Sequence, residues 1–272
     1  YNNDFEIAVG EDGNAPSVAI VTYCDDNFCA PGPYNNNVDI SGLDIHDNSF
    51  SSLAGTGSYE AVYINPDIGT STIYIEDNEF SGEIHRAVAV ERSDVVISSN
   101  DMITDFESSW QGLSLVNWYN NDIEDVEISE NEIEGFSLGI RLAHSGEAWS
   151  PTGLLSEIAI IENIIQNSDT AIQVYRSADE VIVNDNIIIE NALGVDNEDV
   201  ETLDATNNEW GVATYLEILD LVDGNVNFDP WLPLDTIEVE VELQKFYALP
   251  NKPTDMVTFY EGYLKGLKFL IK

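Results

Sequence analysis

One eight-residue pattern, h-x-h-x-x-N-x-h with h apolar or alanine, occurs seven times in this chain. Self-similarity of this kind restricts the fold to architectures built by stacking one small unit, because a unit this short cannot bury its apolar face alone. The copies are LDIHDNSF (43–50), IYIEDNEF (73–80), VVISSNDM (95–102), VEISENEI (126–133), IAIIENII (158–165), VIVNDNII (181–188) and LDATNNEW (203–210). Their shared asparagines are Asn48, Asn78, Asn100, Asn131, Asn163, Asn186 and Asn208, spaced by 30, 22, 31, 32, 23 and 22 residues.

A second strand-like element follows most copies: AVYI (61–64), AVAV (87–90), GLSL (112–115), GIRL (139–142), AIQV (171–174) and ALGV (192–195). Each reads small-h-x-h, the alternation of a half-buried strand. Helices would need a 3.6-residue period and caps, which these short β-branched segments lack. Stacking instead pairs each strand in parallel with its counterparts above and below, and one core then runs through every repeat. The recurring asparagine is expected at a turn, where it tolerates left-handed backbone geometry, with its amide bonded to the next along the stack. The expected fold class is therefore all-β, a right-handed parallel β-helix with capping end segments.

Residues 36–232 resemble the right-handed parallel β-helix proteins of the pectin-lyase-like superfamily. The resemblance rests on the repeats and on the ending, NNEWG (207–211) followed by GNVNFDPWL (224–232). It is specific for fold and poor for function, because this fold hosts lyases, hydrolases, adhesins and inert spacers. Around this body, residues 1–35 are expected to form an N-terminal cap. Residues 233–272 are expected to form a strand-forming basic tail.

Charge divides the chain the same way. Its 51 acids against 9 Lys+Arg give a formal charge of −42, yet 43% of the residues are hydrophobic, too many for a disordered acidic chain. Residues 1–244 hold 49 acids and four arginines without a lysine, while 245–272 hold five lysines and two acids. Such a body is a poor partner for nucleic acid and for anionic membrane surfaces, and no apolar run is long enough for a membrane span. The composition resembles that of halophilic or marine proteins, with an ordinary acidic extracellular protein as the alternative. Cys24 and Cys29 in CDDNFC read as a small disulfide loop, which implies an oxidising compartment. None of the 26 asparagines lies in N-x-[ST], which disfavours an N-glycosylated coat protein. The start at Tyr1 is consistent with a removed signal peptide or an excised domain.

All four body arginines flank or occupy the second strand: Arg86 and Arg92 bracket AVAV, Arg141 lies in GIRL and Arg176 follows AIQV. The outward middle positions of these strands are read as Tyr63, Ala89, Ser114, Arg141, Gln173 and Gly194. Just beyond stand Glu91, Trp118, Tyr119, His144, Trp149 and Tyr175. Arginine and aromatic side chains on one face suit sugar rings and carboxylates. Arg86, Glu91, Arg92, Trp118, Tyr119, Arg141, His144, Trp149, Tyr175 and Arg176 are accordingly the glycan-binding candidates, against the plainer reading that the arginines neutralise neighbouring acids. The resemblance implies Arg141 as the base if the chain is a lyase.

His46, His85 and His144 stand apart, and the NTD and GHG signatures of galacturonase-type hydrolases do not occur. No cofactor is expected; Ca²⁺ is the one metal that the resemblance admits, and the acids Glu127, Glu130 and Glu132 read as a solvated face. Trp210 and Trp231 are expected to close the last repeat. In the tail, Lys245, Lys252, Lys265, Lys268 and Lys272 stand among apolar residues and suit docking on an acidic β-helix, its own or a neighbour's.

Two functions follow as expectations. The preferred one is a secreted or cell-surface structural or adhesive module, self-associating or meeting other surface proteins and forming filaments through its tail. The other is a polysaccharide-active, lyase-like enzyme or a glycan-binding protein that uses the arginine and aromatic face.

Overall fold

The computed structural model describes residues 4–7, 17–21, 42–52, 59–64, 71–104, 109–117, 122–144, 155–175, 178–199 and 201–232. The chain divides into two units, Tyr1–Leu234 and Asp235–Lys272, and every described residue lies in the first. The Cys24–Cys29 pair and the five tail lysines fall outside the described residues.

The first unit is all-β, with three long parallel sheets to which successive strands contribute in rotation. The first sheet holds Asp4–Ile7, Ser49–Ser52, Glu79–Ser81, Asp101–Ile103, Glu132–Glu134, Ile164–Gln166 and Ile187–Ile189. The second holds Ser17–Val21, Tyr59–Ile64, Arg86–Val90, Gln111–Asn117, Leu138–His144, Thr170–Tyr175, Leu193–Asn197 and Val222–Gly224. The third runs from Asp44–His46 through Ile73–Glu76, Val95–Ser98, Val126–Ser129, Leu155–Ile161, Ala178–Asn184 and Leu203–Asp204 to Val226–Asn227. This arrangement is compatible with a parallel β-helix. The N-terminal segments Asp4–Ile7 and Ser17–Val21 extend the first and second sheets by pairing with Ser49–Ser52 and Tyr59–Ile64.

Alternation decides what faces inward. In the third sheet Ile73, Ile75, Val95, Ile97, Val126, Ile128, Ile158 and Ile160 are buried while Tyr74 and Glu127 between them are exposed. Register then stacks like on like. Phe50 pairs with Phe80, and their rings lie 4.8 Å apart at 8°, the spacing of neighbouring strands. Met102, Ile133, Ile165 and Ile188 continue that column.

The seven repeat asparagines are buried between the third and first sheets. Each Nδ2 donates to Oδ1 of the next asparagine over 2.9–3.0 Å, at all six steps from Asn48 to Asn208. The same Oδ1 accepts the backbone N–H of the preceding ladder residue over 2.8–3.1 Å. The remaining donor capacity meets carbonyls, as where Asn131 Nδ2 reaches Ser129 and Ile97 at 2.9 Å each. A buried amide left unsatisfied would cost about 1–3 kcal/mol, so the ladder holds only if every step is made.

The left-handed turn residue differs from the expected one. It is the residue before each asparagine: Asp47, Asp77, Ser99, Glu130, Glu162, Asp185 and Asn207, with φ between 55° and 59°. The asparagine is held by its amide bonds, and its predecessor takes the backbone reversal. A similar column, Asp94, Asp125, Glu157 and Glu180 at φ 53–58°, introduces the buried residues of the third sheet.

At the far end, Trp210 is buried beneath Phe228, and Tyr215 and Trp231 complete an aromatic group. The five-residue helix Tyr215–Leu219 follows Trp210, capped where Thr214 Oγ1 accepts the Glu217 N–H at 3.3 Å. No described helix is long and apolar enough to cross a membrane.

Candidate functional site

The outward face of the second sheet carries the chemistry. In-register pairing places Tyr63, Ala89, Ser114, Arg141 and Gln173 on one line across five strands. The line continues into Asp196 rather than Gly194, because Ile172 pairs with Val195 and Gln173 with Asp196. Gly194 sits at the small position beside Ala171. A Cβ there would lie 2.8 Å from the Trp210 ring, so the aromatic residue that closes the last repeat selects both the glycine and the register.

A second line brings together Glu60, Arg86 and Gln111. Arg86 donates from Nη1 to Glu60 at 2.6 Å and from Nε to Gln111 at 2.8 Å. Trp110 packs against this group: the Arg86 and Arg141 guanidinium carbons lie 5.2 and 5.4 Å from its ring centroid, and the His85 ring lies 5.0 Å away. Two cations on one indole, itself 36% exposed, form a cationic and aromatic surface on a protein whose net charge is −42.

Glu91 follows the strand Arg86–Val90 and is 1% exposed. Tyr63 donates its phenolic hydrogen to Glu91 Oε1. Burial pushes the Glu91 carboxyl up to about 8; Tyr63 and Arg86 oppose the shift and Glu60 adds to it. Glu60 is also raised by burial, with Arg86 working against it. Burial and the nearby Arg86 charge lower His85 and Arg141, and Glu198 and Tyr175 partly offset this at Arg141.

Four buried side-chain atoms here have no hydrogen-bond partner among the described residues: Glu91 Oε2, Gln111 Nε2, Ser114 Oγ and Arg141 Nε. Gln111 and Ser114 lie on one strand and Arg141 pairs directly with Ser114. Ser114 and Arg141 thus face the same side of adjacent strands, while Gln111, three residues before Ser114, shares the alternation of Leu113 and points to the other. Groups of this kind are bonded in folded proteins unless they meet a ligand or solvent.

The other candidates separate. Arg92 is buried and donates to the backbone carbonyls of Ser93 (2.8 Å) and Ser71 (3.1 Å), a structural clamp. Tyr175 is half-buried at the end of its strand, within electrostatic reach of Arg141. His144 pairs in backbone register with Asn117. Its side chain, and all of Trp118, Tyr119, Trp149 and Arg176, lie outside the described residues. Glu127, Glu130 and Glu132 fall on the third sheet, a turn and the first sheet, and no described group of three or more His, Cys, Asp or Glu is arranged to hold a metal. Trp110, Glu60 and Gln111 were not legible as site residues; their signal is register, since Glu60 and Gln111 pair with Arg86 from either side.

Comparison with protein-family models, with curated proteins and with solved structures finds no match to the chain.

Proposed function

We propose that residues 36–232 form a parallel β-helix of the pectin-lyase-like kind and that the outward face of its second sheet binds an acidic polysaccharide. The observation that carries this reading is the pair of unpartnered buried donors on Ser114 and Arg141, which are in register, with Arg141 against Trp110. An arginine and a neutral donor suit a sugar carboxylate, and the exposed part of the indole suits a pyranose ring. The chain is then a secreted or cell-surface glycan-binding module, and adhesion follows from that binding.

Calorimetric titration with an oligouronate, and with a neutral oligosaccharide of the same length, tests it. The oligouronate binds, the neutral sugar binds more weakly, and Arg141→Ala weakens oligouronate binding about tenfold or more. Equal binding of both sugars, or no effect of Arg141→Ala, overturns the reading. Cleavage of the bound polymer would extend the reading to lyase chemistry with Arg141 as base, which the lowered Arg141 pKa favours.

A further inference from the structure

We propose that the exposed apolar patch at the Leu232 end of the first unit is a docking surface for the basic segment 245–272 of a second copy of the chain. The inference does not rest on the glycan-binding reading.

The patch is built by the last described residues. The helix Tyr215–Leu219 buries Ile218 and leaves Tyr215, Leu216 and Leu219 exposed, Leu216 at 72%. Leu219 stands three residues after Leu216 and four after Tyr215, so these three share one side of the helix. The Tyr215 and Trp231 rings lie 6.0 Å apart, and the exposed Leu232 follows Trp231. Half of the large apolar side chains that the described residues expose thus fall within 215–232, and all four stay uncovered in the single chain. A concentration of this kind beside charged residues marks a protein interface.

The same end leaves strand edges open. Among the described residues, Val222–Gly224 pairs only with Leu193–Asn197, and Val226–Asn227 only with Leu203–Asp204. Each is the last strand of its sheet, and such an edge takes up an added strand.

Charge selects the occupant. Glu217, Asp220, Asp223 and Asp229 are exposed on this stretch, and no Lys or Arg occurs between Arg176 and Lys245. The body of a second copy, equally acidic, is repelled from such a surface. Segment 245–272, which lies outside the described residues, is the only lysine-bearing part of the chain, with five lysines against Asp255 and Glu261. It also holds Val257, Phe259, Tyr260, Phe269 and Ile271, residue types that suit a strand laid on an apolar surface. Lysine stems cover apolar side chains such as Leu216 while their ammonium groups meet the acids.

Sedimentation velocity of the full chain in about 0.15 M salt, where the bodies are screened from one another beyond about 8 Å, tests the docking. Wild type shows a mass above the 30.1 kDa of one chain, rising with concentration. Leu216→Asp with Leu219→Asp, both at exposed positions, weakens association about tenfold or more, and Lys265→Glu with Lys268→Glu does the same from the other side of the contact. Each double variant keeps the half that the other has lost, so mixing the two restores pairs that neither forms alone. A wild type that stays monomeric at every concentration, association that survives in the patch variant, or a mixture without pairs overturns the proposal. A monomeric wild type whose melting temperature falls in both variants assigns the patch to the segment of the same chain, and overturns docking by a second copy.

Discussion

Asn131 gives Asn163 two hydrogen bonds to a single oxygen: its side-chain Nδ2 at 2.9 Å and its backbone N–H at 3.0 Å both reach Oδ1. Asn100 does the same to Asn131 from the other side. A central member of this ladder therefore serves two neighbours at once, and removing it orphans groups on both.

Asn131→Ala is expected to cost roughly 3 kcal/mol or more, since the donors of Asn100 and the carbonyls of Ile97 and Ser129 lose buried partners. Asn48→Ala, at the first step of the ladder, costs less. Urea denaturation of the two variants beside wild type gives the comparison, and equal losses would mean that the ladder does not act as a connected unit.

The turn residue before each asparagine offers a gain. Glu162 holds φ 58°, a region that costs an L-residue with a Cβ about 1–2 kcal/mol. Glycine pays no such cost but loses more chain entropy on folding, so Glu162→Gly is expected to stabilise by about 0.5–1 kcal/mol. Glu162→Val, β-branched at the same φ, is expected to destabilise. A shift of the urea midpoint in the opposite sense for either variant would contradict the assigned backbone geometry.

Glu91 links stability to pH. Its carboxyl titrates near 8 in the folded chain against about 4.5 unfolded, so between those values the folded state holds a proton that the unfolded state has lost. Stability from this group is complete below pH 4.5, falls as pH rises through the interval and is fully lost above about pH 8. Most exposed carboxylates have finished titrating by about pH 6. The melting temperature of wild type is therefore expected to fall from pH 6 to 9 more steeply than that of Glu91→Gln, and parallel curves would refute the assignment.

With a net charge of −42, the chain repels itself and any acidic polymer at long range. Raising salt from about 0.05 M to about 1 M shortens the screening length to about 3 Å. Melting temperature is expected to rise over that range. Under the proposed glycan-binding reading, affinity for an oligouronate is expected to rise or hold, because the donor atoms assigned to it on Ser114 and Arg141 are buried. A steep loss of affinity with salt would place the ligand on an exposed cationic surface instead.

The alternation of apolar residues and the seven spaced asparagines determined, from sequence alone, an all-β chain of stacked parallel strands with an amide-bearing turn. Side-chain direction in a strand has period two, and buried amides need partners, so a repeat of this form leaves few other packings. The tertiary structure decided what depends on neighbours from other repeats. The left-handed residue is the one before each asparagine, because the amide bonds hold the asparagine itself. Asp196, not Gly194, stands on the outward line, because Trp210 leaves no room for a Cβ at residue 194. The site likewise needed three dimensions. Glu60, Arg86 and Gln111 are 25 or 26 residues apart in successive pairs and meet only through register. The proton affinity of Glu91 comes from burial, a property of the strands packed around a residue and not of its place in the chain.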